Sequence, residues 1–119
     1  MTYAFDIDGT LTPDPKRMGD MMSSLVRAGN RVIVLTGAIR GTEITRPERI
    51  AQLNSLGIHH DEHYDEIFIS VGGDMVEVAR GKGKVCREEK VDMVFEDNED
   101  FIRFIRTMSP QTITMMVRA

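Results

Sequence analysis

The sequence predicts a three-layer α/β fold, a parallel sheet with helices on both faces. Three observations predict it. Short apolar stretches alternate with segments of helical periodicity from one end of the chain to the other. The run Val32-Ile33-Val34-Leu35 is apolar on both faces, as a central parallel strand is. Glycines and prolines stand at the joins between these segments. Right-handed crossovers are then nearly obligatory.

The elements follow in order. Thr2 to Ile7 reads as a first strand, closed by the turn signal Asp8-Gly9-Thr10. Two prolines and an aspartate make residues 11–15 a loop. Lys16 to Ala28 has Met18, Met21, Met22, Leu25 and Val26 at helical spacing, and Gly29 is its stop. Arg31 to Leu35 is the second strand, ended by Thr36-Gly37, with a loop at 38–45. Pro47 suits the first turn of a helix from Arg46 to Leu56, closed by Gly57. A polar stretch at 58–66 carries all three histidines, and Glu66 to Val71 is a strand followed by Gly72-Gly73. The alternation Met75-Val76-Glu77-Val78 suggests a short strand within 74–81, before a helix from Lys82 to Glu89. Val91 to Phe95 is a further strand, Glu99 to Met108 a last helix and Thr112 to Val117 a last strand.

Composition bounds what such a chain does. Its 119 residues suit one domain, 1–119, and a domain of that length builds a core without disulfide or metal support. Cys86 is the single cysteine, which excludes an internal disulfide and a four-cysteine zinc site. No apolar run approaches the ~20 residues of a membrane helix, and the N-terminus meets Asp6 without a basic leader. A soluble cytoplasmic protein that does not engage the membrane is therefore expected. The formal charge of −4 argues against a broad nucleic-acid footprint, while leaving room for a nucleotide or strand end in a local site.

Ligands of an open parallel sheet bind outside the carboxyl ends of its strands. Asp6, Asp8, Gly9 and Thr10 follow the first strand, Thr36 and Gly37 the second, and Glu96 and Asp97 the strand at 91–95. Carboxylates converging from distant segments repel one another unless a cation joins them. Oxygen donors without Cys or His point to Mg²⁺. Asp6 and Asp8 stand at i and i+2, which places them on one face of an extended chain.

Phe5-Asp6-Ile7-Asp8-Gly9-Thr10-Leu11-Thr12 resembles the first motif of the haloacid dehalogenase superfamily. Val32 to Gly37 resembles its second motif and Met93 to Asn98 its fourth. Lys82 fits the third-motif lysine, with Lys84 as the alternative. The resemblance spans residues 2 to about 106 and implies a Rossmann-like hydrolase domain. It implies a Mg²⁺-dependent phosphomonoester phosphatase in which Asp6 forms an aspartyl-phosphate and Asp8 is the general acid and base. It further implies metal ligation by Asp6, the Asp8 carbonyl and Asp97, with Glu96 beside them. Phosphate would be held by Thr36, with Gly37 beside it, and by the amides of the first loop at Gly9 and Thr10, with Lys82 neutralising charge.

The stretches Asp8–Thr36 and Thr36–Lys82 are too short for a cap domain, so the implied site is open. An open site suits a phosphorylated small molecule or polynucleotide end, or cover by a second copy of the chain. Phosphoryl transfer to an acceptor other than water, and a non-catalytic phosphate- or partner-binding module, are the rival readings. The family's further acid after the fourth motif has two candidates, Glu99 and Asp100. Arg40 is placed to face a substrate. The remaining features read as structure. His59, His60 and His63 are too closely spaced for a catalytic zinc site, Cys86 is a buried helix residue, and the methionines at 18–22 pack the core. Arg103, Arg106 and Arg118 form a solvated face.

Overall fold

The computed structural model describes residues 1–42 and 44–118. Nine elements alternate: β1 (Thr2–Phe5), α1 (Pro15–Arg27), β2 (Arg31–Ile39), α2 (Arg46–Ser55), β3 (Glu66–Gly72), α3 (Met75–Glu88), β4 (Met93–Glu96), α4 (Glu99–Met108) and β5 (Ile113–Met116). The sheet order is β3-β2-β1-β4-β5 and every pairing is parallel. This is a Rossmann-like sheet, with the reversal of strand order falling between β1 and β4. Phe5 at the end of β1 lies opposite Val34 on one side and Phe95 on the other.

Alternation along β2 builds the three layers. Val32 and Val34 join Phe5, Met22 and Leu53 in a core under α1 and α2. Ile33 and Leu35 join Ala4, Cys86, Val94 and Ile105 in a second core under α3 and α4. A strand buried on both faces needs apolar residues at every position, which is why 32–35 carries no polar residue. Burial also pushes the Cys86 thiol up to about 12, so it serves as packing. Among the described residues no additional domain covers the carboxyl edge of the sheet, and no helix is long and apolar enough to cross a membrane.

The structure departs from the sequence expectation in three places, and the first is β1, which stops at Phe5 rather than Ile7 because the chain turns there. β2 does not end at Thr36-Gly37 but runs on to Ile39, because β3 pairs with it from Ile33 through Ile39. Gly37 fits this extension because a Cβ there would collide with Val78 of α3. Residues 75–81 are not a strand. They are the first two turns of α3, capped by Asp74, whose side chain accepts from the Glu77 amide. The Glu77 carboxylate in turn accepts from the Gly73 amide at 2.6 Å. The apparent alternation arises because Met75 and Val76 are exposed while Val78 and Ala79 face the core.

Candidate functional site

The residue after β1 is Asp6, and its amide donates to the Phe95 carbonyl, which fixes it beside the end of β4. Asp6 is 6% exposed, and its carboxylate faces Lys82, which projects from the middle of α3. Lys82 Nζ lies 3.1 Å from Asp6 Oδ1 and 2.7 Å from Glu96 Oε2. Its ammonium also sits 4.5 Å from the centre of the Phe101 ring. Glu96, the last residue of β4, is as buried as Lys82, and its second oxygen accepts from the Asn98 amide. Asp97 follows at the surface, packed against Gly9 so closely that a Cβ at Gly9 would collide with its carboxylate. Gly9 also has φ +81°, a conformation glycine adopts without strain.

Carboxylate oxygens of Asp6, Glu96 and Asp97 lie within 4.8 Å of one another. One ammonium serves this group. Burial raises the Asp6 carboxyl above its usual range, an effect that Lys82 partly offsets. Burial also pushes Glu96 up to about 8, with Lys82 pulling it down and Asp6 adding to the rise. Burial alone would lower Lys82, but Asp6 and Glu96 outweigh it and raise the ammonium. The cluster is thus a lysine held charged by two acids that compete for it.

Asp8 belongs to a different arrangement. The chain turns after Ile7, whose carbonyl accepts from the amides of Thr10, Leu11 and Thr12. Asp6 and Asp8 therefore do not share a face of an extended strand. Asp8 points to α2, where Arg49 Nη1 lies 3.3 Å from one oxygen and Gln52 Nε2 2.9 Å from the other. Arg49 is buried, and it also donates to the Gly37 carbonyl at 3.0 Å and to Gln52. Arg49 is a residue of this arrangement that the strand-end pattern does not single out. Its signal was available: it stands four residues before Leu53, which puts a cation on the apolar stripe of α2, and a buried guanidinium demands an acceptor.

A cleft of about 230 Å³ opens between these two arrangements, lined by Asp6, Asp8, Thr36, Gly37, Lys82 and Glu96–Asn98, among others. Gly9 and Thr10 do not line it; the Thr10 hydroxyl is buried with no partner among the described residues. The structure separates the two candidate lysines, since Lys84 is exposed and faces Glu88 at 3.9 Å. Glu99 pairs with Arg118 at 3.0 Å and Asp100 faces Arg103 at 3.9 Å, both outside the carboxylate cluster. The exposed Arg40 does not line the cleft. The histidines close their own turn: the His59 amide donates to His63 Nδ1, and His60 Nε2 meets the Asp65 carbonyl. Among the described residues they join no group of metal-ligating side chains.

No family model matches the chain, and no curated protein matches it. Among solved structures, a protein from the universal stress protein family of Burkholderia pseudomallei is similar, with a TM-score of 0.57 and 12% identity. The alignment covers 99% of this chain and 96% of that one. At that identity the likeness is one of fold. These comparisons overturn the haloacid dehalogenase assignment. The hydrolase and phosphotransferase readings that rested on it are withdrawn, together with the aspartyl-phosphate chemistry. The physical reason lies in the motifs themselves. An apolar strand ending in an acid or a threonine is what a Rossmann-like sheet offers at its ligand-binding edge, whatever its family.

Proposed function

We propose that the cleft binds a divalent cation together with a phosphate-bearing small molecule, as a binding site. The observation that carries this reading is the meeting of Asp6, Glu96 and Asp97 at the reversal of strand order, with one ammonium shared by Asp6 and Glu96. The donor set fits Mg²⁺, because every candidate ligand atom is a carboxylate oxygen and Asp97 is open to water. The cation would add positive charge to a group in which one ammonium faces three carboxylates. Lys82 and the cation together would favour an anion in the cleft, with the Thr36 hydroxyl at its wall. Phosphate is the anion that Mg²⁺ sites commonly share with carboxylates. Such a ligand and ion suit the cytoplasm.

The test is titration calorimetry, since the chain has no tryptophan to report binding by fluorescence. MgCl₂ should bind the wild type, and Asp97→Asn should weaken it by about 10-fold or more. Inorganic phosphate should bind only with Mg²⁺ present. Absence of Mg²⁺ binding up to roughly 10 mM, far above the affinity such sites need, would reject the reading.

A further inference from the structure

Beside the cleft lies a second hollow of about 290 Å³, between the first turns of α3 and α4. Met75, Val76, Ala79 and Phe104 give it an apolar lining, and Asp100 and Arg103 form a polar edge. Met75, Asn98 and Phe101 line both hollows, so the two are continuous across a shared wall. Together they fall in the range of ~300–1,000 Å³ occupied by small-ligand sites. Met75 is 51% exposed and Val76 45% exposed. Apolar residues at the solvent face of a first helical turn gain nothing from local structure, where acidic or capping residues would. Asn98 adds a polar group at the junction. Its Oδ1 accepts from the amides of Asp100 and Phe101, and among the described residues its amide nitrogen has no protein acceptor.

We propose that this hollow seats an aromatic ring attached to the phosphate, so that the ligands of the site are aryl or nucleoside phosphates. The inference rests on the cation-and-phosphate reading above and names its ligand class. The anion would occupy the cleft near Lys82, and the ring would extend over Phe101 onto Met75, Val76 and Phe104. A flat ring suits these walls because aromatic faces and a methionine thioether both pack well against π-systems. The Asn98 amide and the Asp100–Arg103 edge would meet polar groups on the ring's rim.

The experiment compares inorganic phosphate, ethyl phosphate, phenyl phosphate and a nucleoside monophosphate by calorimetry at saturating Mg²⁺. Phenyl phosphate and the nucleotide should bind about 10-fold or more tighter than ethyl phosphate, as burying a ring predicts. Val76→Asp should remove that advantage and leave Mg²⁺ and inorganic phosphate affinities within about 2-fold, since a first-turn aspartate suits a helix start. Phe104→Leu is the second variant and should reduce the advantage in part. Equal affinity for ethyl and phenyl phosphate, with inorganic phosphate still bound, would overturn the ring assignment and leave the cation site standing. An octyl phosphate binding as tightly as phenyl phosphate would overturn it in favour of a chain. Self-association of the wild type abolished by Val76→Asp would overturn it in favour of a contact between copies. Failure of both Mg²⁺ and inorganic phosphate to bind would remove both readings.

Discussion

Asp6 and Asp8 are two residues apart and each meets a buried cation, yet their surroundings differ. Asp6 shares Lys82 with Glu96 in a group that is almost wholly withdrawn from water. Asp8 meets Arg49 with its own side chain 65% exposed. In the first arrangement two acids and one ammonium have no solvent to fall back on, so burial governs their protonation. In the second, water screens the pair, and the guanidinium is held as much by the Gly37 carbonyl and Gln52 as by the carboxylate. The contrast teaches that adjacency in sequence says little about electrostatic role. What decides is which layer of helices each side chain turns toward: α3 for Asp6, α2 for Asp8.

The largest effect should come from breaking the buried group. Lys82→Met removes the one cation of the buried group and the donor to both Asp6 and Glu96, and should cost about 3–5 kcal/mol in urea unfolding at neutral pH. Next comes pH. Glu96 is raised from 4.5 to about 8 in the folded protein, so the folded state holds a proton that the unfolded state releases. Stability contributed by that group therefore falls as pH rises from about 5 to about 8, and levels off above. Without divalent ions, the melting temperature should drop by roughly 5–10 °C over this window, and Glu96→Gln should flatten the decline. A profile unchanged in Glu96→Gln would assign the dependence to other groups.

Arg49→Ala should have a smaller effect, about 1–2 kcal/mol, because Asp8 is free to hydrate and the main loss is the donor to the Gly37 carbonyl. Asp8→Asn should be the mildest, within about 0.5 kcal/mol, as expected for an exposed partner. If Asp8→Asn destabilised as much as Lys82→Met, the distinction between the two arrangements would collapse.

Much of the fold is legible in the sequence for a physical reason. A parallel strand buried on both faces must be continuously apolar, and Val32–Leu35 announces itself by that requirement, with Met93-Val94-Phe95 a shorter apolar run. Glu99–Met108 is legible because its apolar spacing and acidic first turn agree. The start of α3 was hidden because Met75-Val76-Glu77-Val78 alternates like a strand, while the capping by Asp74 settles it as helix. The far end of β2 was hidden because strand length is set by the partner β3, which sequence periodicity does not show. At the site, the convergence of Asp6, Glu96 and Asp97 follows from strand order. The turn that separates Asp8 from Asp6 depends on three amides meeting one carbonyl at Ile7, which side-chain patterns do not encode. Nor does a run of short strand-end motifs establish a family, since the same edge serves many folds of this class.

The position of β1 at the middle of the sheet has one more outcome. It joins chain from the first third, through β2, to chain from the last quarter, through β4. The acids at its tip exist as a set only once both joints have closed. An ion gripped there would act as a rivet through the centre of the molecule, and amide hydrogens on either side should become slower to exchange together. Neither half of the polypeptide, made alone, should hold it.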